Sequence, residues 1–136
     1  MYKVILYQGC EYLEVIGKSK DVIHNSINRK YTHFQKGDSY VEDYDEYHIN
    51  YAHDFRCECI ELFDYRKITY KDQEFLGLKR KKLIDIINKL HPGTTVHSDE
   101  MGVAFPELSL GFTFDDSNKT NYVLIGKKGY YDFLLN

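Results

Sequence analysis

The sequence predicts an α+β domain: a mostly antiparallel sheet with two main helices, arranged as a degenerate tandem α-β repeat. Three observations lead there. Short alternating or apolar runs bounded by turn formers recur along the chain, as antiparallel strands do. Helical spacing marks two segments. Those two segments open on related motifs sixty residues apart, "VIGKSKDVIHNSI" and "FLGLKRKKLIDII".

Taken in chain order, strands are expected at residues 3–7 and 12–16. The first helix follows in "SKDVIHNSIN", where Ser19 suits the N-cap, Asp21 suits the positive end of the helix dipole, and Val22, Ile23 and Ile27 form a stripe. Strands at 46–51 and 56–63 are joined by "AHDF" as a tight hairpin. A linker then leads to the second helix in "LKRKKLIDIINKLHPG", where Leu83, Ile86, Ile87 and Leu90 keep the i, i+3, i+4, i+7 rule and Pro92 with Gly93 stops it. Strands at 103–105, 108–114 and 121–125 close the chain, the last two joined through "DDSNKTN", and Pro106 is expected to interrupt or edge the sheet.

Aligning Gly17 with Gly77 superposes Ile16 on Leu76, Ile23 on Leu83 and Ile27 on Ile87. Two copies of a helix laid on an antiparallel sheet explain the match, since neither copy covers its apolar face alone. The alternative is chance likeness between two short amphipathic helices. The chain of 136 residues is expected to form a single domain, 1–136, with half-repeats 1–70 and 71–136.

The longest apolar runs, such as "VILY" and "YVLIG", are too short for a membrane span of roughly twenty residues. The N-terminal stretch lacks a signal peptide's apolar core, so a cytoplasmic protein is expected. Cys10, Cys57 and Cys59 form an odd set, read as reduced core thiols without metal or other cofactor.

Charge divides the chain. From 38 to 64 nine Asp or Glu stand against Arg56 alone, and from 66 to 89 eight Lys or Arg stand against three acids. The basic cluster Lys79 to Lys82 falls at the start of a helix, where the dipole disfavours cations; solvation and pairing with the acidic passage is the expected offset. A nucleic-acid partner calls for a wider basic stripe and a net positive domain, and the formal net charge is −3, so no direct nucleic-acid or membrane binding is expected. In the acidic passage, tyrosines are interleaved with carboxylates. Tyrosine supplies contact area and a hydrogen bond at small entropic cost, and complementary charge speeds association with a basic partner. Asp38, Glu42, Asp43, Tyr44, Asp45, Glu46 and Tyr47 are therefore the expected partner-binding set.

No catalytic residue is nominated. The histidines at 24, 33, 48, 53, 91 and 97 are scattered, no HExxH or GxSxG pattern occurs, and "GKSK" at Gly17 lacks the glycine-rich loop of a phosphate cradle. No metal site is expected either.

The succession "GCEYLEVIGKSKDVI", "CECIELF", "FLGLKRKKLIDIINKL", "GVAFPELSLGF" and "GYYDF" resembles the small bacterial immunity proteins found beside polymorphic or contact-dependent toxins. The helix-plus-sheet tandem also resembles the architecture of the beta-lactamase inhibitor protein. The resemblance implies a stoichiometric inhibitor that blocks a cognate toxin domain, a nuclease being one candidate, and implies no enzyme activity. The competing expectations are a small-ligand-binding domain or an enzyme of unrecognised type, and a self-associating module, with homo-oligomerisation left open.

Overall fold

The structure, a computed structural model, describes residues 1–63 and 66–135; Asp64 and Tyr65, which close the acidic passage, and Asn136 lie outside the described residues. The first half runs β1 (Tyr2–Ile5), β2 (Gly9–Cys10), α1 (Lys20–Ser26), β3 (Thr32–Lys36), β4 (Ser39–Asp43), β5 (Tyr47–Tyr51) and β6 (Cys57–Leu62). The second runs β7 (Ile68–Tyr70), β8 (Gln73–Glu74), α2 (Arg80–Leu90), β9 (His97–Ser98), β10 (Val103–Phe105), β11 (Leu110–Phe114) and β12 (Thr120–Gly126). The α+β class is as the sequence predicts. No helix among the described residues is long and apolar enough to cross a membrane.

The strands form two sheets. The larger is eight-stranded and antiparallel, in the order β3-β4-β5-β6-β12-β11-β10-β9. Read from either edge it is the same arrangement, with β6 and β12 meeting at the centre. The smaller, β2-β1-β7-β8, is mixed, because β1 pairs antiparallel with β2 and parallel with β7.

The two halves share one plan, bond by bond. Cys10 bridges Leu13 as Tyr70 pairs with Gln73, sixty residues later. Gly17 N–H donates to the Cys57 carbonyl at 2.8 Å and Gly77 N–H to the Thr120 carbonyl at 2.9 Å. Both glycines hold positive φ, 88° and 79°, a conformation that costs a side chain. Ser19 bridges Arg56 as Lys79 bridges Lys119, and a bulge follows Asn50 as one follows Thr113. β1 has no counterpart and wedges between the two small hairpins. A boundary between 70 and 71 would split the β7–β8 hairpin, so the second unit begins before Ile68.

One core serves both halves. Ile23 from α1 and Leu83 and Ile87 from α2 pack against Ile49, Ile60, Val123, Ile125 and Phe112 on one face of the large sheet. Complete burial of each such side chain contributes about 1.5–3 kcal/mol.

Several expectations need correction. Residues 12–16 make a single bridge at Leu13 instead of a strand, since Tyr12 is left-handed at φ 68°; Leu13 and Val15 are buried alternately but find no ladder. The stretch 108–114 begins as a 3-10 turn, Pro106–Leu108, so Pro106 does interrupt the sheet and β11 starts only at Leu110. β2, β3, β4 and β9 were not expected, and β7 and β8 occupy the expected linker.

The helix starts differ where the halves should match. Ser19 caps α1 through its side chain to Val22 N–H at 3.4 Å, whereas Lys79 at the start of α2 caps nothing and no acid lies in the first turn. Lys79→Ser is expected to stabilise the protein by about 1 kcal/mol, read as a rise in the thermal midpoint by calorimetry.

Candidate interaction face

Alternation along the strands sends every second side chain away from the helices, onto the other face of the eight-stranded sheet. On that face lie Phe34 of β3, His48 of β5 and Tyr122 of β12, with Phe63 just past β6. Their rings meet edge to face in a row, with centroids 5.7 Å apart for Phe34–His48, 4.6 Å for His48–Phe63 and 5.4 Å for Phe63–Tyr122. The row crosses the central seam and joins the two halves. Phe34, on the edge strand, is 41% exposed.

Carboxylates flank the row. His48 Nε2 lies 3.3 Å from Asp43 Oδ1, and its Nδ1 lies 3.9 Å from Glu61 Oε1, so one imidazole sits between two acids. Asn50 Nδ2 donates to Glu61 Oε1 at 3.1 Å. Glu61, on the central strand β6, is only 8% exposed.

The second half of this face is partly roofed by the C-terminal residues. Tyr131 lies over Gly111, where any Cβ would collide with its hydroxyl, and Tyr130 lies over Gly126, where a Cβ would come 2.6 Å from the tyrosine's own. These glycines make room for rings. Between the roof and the loop joining β9 to β10 runs a groove of about 320 Å³. Met101 and Phe133 stand on its rims, 82% and 68% exposed. The loop is braced from behind by Arg80, which donates to Ser98 Oγ at 2.8 Å and to the Asp99 carbonyl at 2.7 Å while its guanidinium lies 4.6 Å from the Phe114 ring. Asp99 accepts from the Met101 and Gly102 N–H groups, which hold its carboxyl below the usual range.

The residues expected to bind a partner are placed very differently. Glu42, Tyr44 and Tyr47 are buried on the helix side and present no surface, which corrects their nomination. Glu42 is a structural hub: its Oε1 accepts from Tyr44 at 3.0 Å and Tyr51 at 2.9 Å, and its Oε2 lies 2.6 Å from His24 Nε2 on α1. Glu46 is half-buried and taken up within the molecule by Tyr2 at 2.8 Å and Arg66 at 3.0 Å; the Tyr2 hydrogen bond first, then Arg66, holds its pKa low. Asp43 lies on the open face and Asp45 is exposed in the next turn, but Asp38 sits at the other end of β4, roughly 17 Å away for a five-residue strand. The acidic passage is therefore two strands and their turns, and its charges do not form one patch.

The basic cluster does not quench that passage. Among the described residues, Lys79 to Lys82 form no ion pair with it; Lys79 Nζ donates to the Ser117 carbonyl at 2.8 Å, Arg80 braces the loop, and Lys81 and Lys82 are exposed. Ser109, buried at a left-handed turn, has a hydroxyl with no hydrogen-bond partner among the described residues, so no base activates it. No group of three or more His, Cys, Asp or Glu placed to hold a metal occurs among the described residues.

Sequence reasoning missed Phe34, Glu61, Tyr122, Tyr131 and Phe133. The signal for the last two was the closing "GYYDF", whose paired rings follow a strand ending in glycine. Compared with known proteins, the chain matches no family model, no curated protein and no solved structure.

Two predictions follow from the buried polar groups. In the register of the halves, His24, Glu42, Tyr44 and Tyr51 correspond to Ile84, Val103, Phe105 and Phe114, an apolar version of the same site. Glu42→Val alone strands two hydroxyls and an imidazole and is expected to cost about 3–5 kcal/mol. Adding His24→Ile, Tyr44→Phe and Tyr51→Phe should recover most of that loss in urea titrations. Separately, burial pushes the Cys10 and Cys59 thiols up to about 12 and raises the Tyr44 and Tyr51 phenols further. The folded state then holds protons that the unfolded chain releases, so stability is full below pH about 9 and falls as pH rises beyond it. Urea midpoints measured from pH 7 to 12 should show that plateau and decline.

Proposed function

We propose that this chain is a cytoplasmic protein-binding module of the immunity-protein kind, which neutralises a cognate toxin domain by laying the open face of its eight-stranded sheet over the toxin's active site. The observation that carries the reading is the ring row crossing both halves of that face. Helices and core stabilise the other face, and they do not require four aromatic side chains in contact on this one. Aromatic groups are the residues that anchor protein interfaces.

Size and charge support it. Eight strands about 4.8 Å apart span roughly 34 Å, enough for one partner's share of an ordinary interface, about 800 Å². Asp43 and Glu61 lie beside the row and Asp99 lines the adjoining groove, which suits a cationic surface such as the cleft of a nuclease; complementary charge raises association rate and rejects wrong partners. The inhibitor reading requires no catalytic group or cofactor of its own. The groove is the feature that favours the competing reading, a small-ligand site, and its volume lies at the low end for burying a drug-sized ligand.

The test is binding to the C-terminal domain of a secreted protein encoded beside this chain. Wild type should bind it with a one-to-one stoichiometry and protect cells that express it. Phe34→Asp should weaken binding at least about tenfold, as loss of an interface anchor does, while Asp45→Lys should act mainly on the association rate. A wild-type protein that neither binds nor protects, or one that hides the ring row in a tight homodimer, sinks the proposal.

A further inference from the structure

We infer that the groove beneath the C-terminal residues is a receptor for one lysine or arginine side chain of the partner. This rests on the open face being the interface, and adds what the partner must insert there.

The argument begins at Glu61. A carboxylate on the central strand of a sheet, nine-tenths withdrawn from water, demands donors or a cation. Glu61 Oε1 has both of its neighbours, Asn50 Nδ2 at 3.1 Å and His48 Nδ1 at 3.9 Å. Oε2 has no partner among the described residues, and Glu61 lines the groove. Unlike Asp99, whose oxygens are met by two backbone N–H groups and by His97 at 3.4 Å, Glu61 keeps one oxygen that takes no protein donor among the described residues and stays within reach of solvent.

The walls fit the same visitor. Ala104 and Leu124 give the groove an apolar floor on which an aliphatic stem can lie. Tyr122, Tyr131 and Phe133 line the groove with aromatic rings, groups whose faces attract ammonium and guanidinium. About 320 Å³ admits a lysine or arginine side chain with room to spare. Lys36 also lines the groove and opposes a cation, but no ion pair joins it to Glu61 among the described residues. Tyr122 belongs both to the groove and to the ring row, so a partner seated on the row reaches the groove without a gap. That continuity makes the source a protein side chain and not a free amine.

The experiment has two arms. In the first, acetyl-Ala-Arg-Ala-amide and its citrulline counterpart, which keeps the shape and loses the charge, are titrated into isotopically labelled full-length protein at low salt. The arginine peptide should shift the backbone amide signals of Glu61, Gly111, Thr113 and Leu124, and the citrulline peptide should not. Equal shifts from both peptides, or none from the arginine peptide at its solubility limit, overturn the groove proposal with no variant needed. In the second, Glu61→Gln, which keeps an acceptor for Asn50, is compared with Phe34→Asp for binding the toxin domain. Loss of about tenfold or more in both is expected. Loss with Phe34→Asp alone leaves the interface standing and removes the groove's role. No binding by wild type removes the interface reading itself, and the peptide arm then judges the groove as a cation site.

Discussion

Everything distinctive in this molecule depends on the pairing of β6 with β12. Four residue pairs, Leu62 with Val123, Glu61 with Leu124, Ile60 with Ile125 and Cys59 with Gly126, join two four-stranded units into one sheet. Separated, each unit would expose the apolar face of a central strand and an unpaired edge, an invitation to aggregation. Each would also have a single helix to cover four strands. The seam lets Ile23, Leu83 and Ile87 share one core. It also shapes the other face, because only across the seam does the ring row reach Tyr122 and Glu61 become a central-strand residue facing Leu124.

The two units solve the same packing problem with different chemistry. Where the second half places Ile84, Val103, Phe105 and Phe114, the first places His24, Glu42, Tyr44 and Tyr51 around one carboxylate. An apolar site of equal shape is usually at least as stable as a buried charged one. What the polar version supplies is direction: a hub at fixed hydrogen-bond distances ties α1 to β4 and β5, while α1, at seven residues, is too short to be held by its own backbone. The eleven-residue α2 buries two apolar side chains and manages without such a tie. Length and hub thus compensate one another across the repeat.

The same contrast explains what could be read from the chain. α2 and the strands β5, β6, β11 and β12 were legible because their inward residues are apolar and correctly spaced. The register of the repeat was legible too, since Gly17 and Gly77 are needed for the same left-handed turn. β4 was not, for one of the two residues it turns inward, beside Tyr40, is Glu42, and burial of a carboxylate reverses the usual code. Nor was β3, an edge strand whose five residues are all exposed. The acidic passage looked like a charged surface because composition counts charges without assigning them to faces. Once the strands exist, Glu42 goes in, Asp43 goes out, and Glu46 is met by Tyr2 and Arg66 from distant parts of the chain. The groove was beyond reach for another reason. Its walls come from residues that follow different strands, brought together only by the sheet order.

Charge on the open face therefore has a different meaning from charge in the sequence. A net excess of acids steers a basic partner from a distance, an effect that salt screens beyond about 8–10 Å. Glu61 and Asp43 act at contact, where His48 already shares them, and a partner gains from them only by displacing water and meeting them with donors of its own. On the proposed reading, an exposed turn residue such as Asp45 steers a partner and can vary without loss of fit. A carboxylate fixed by Asn50 on a central strand cannot, because its position is set by the ladder on both sides. On the proposed reading, specificity resides at the seam, where the ladder fixes the backbone on both sides, and the exposed turns tune only how quickly a partner arrives.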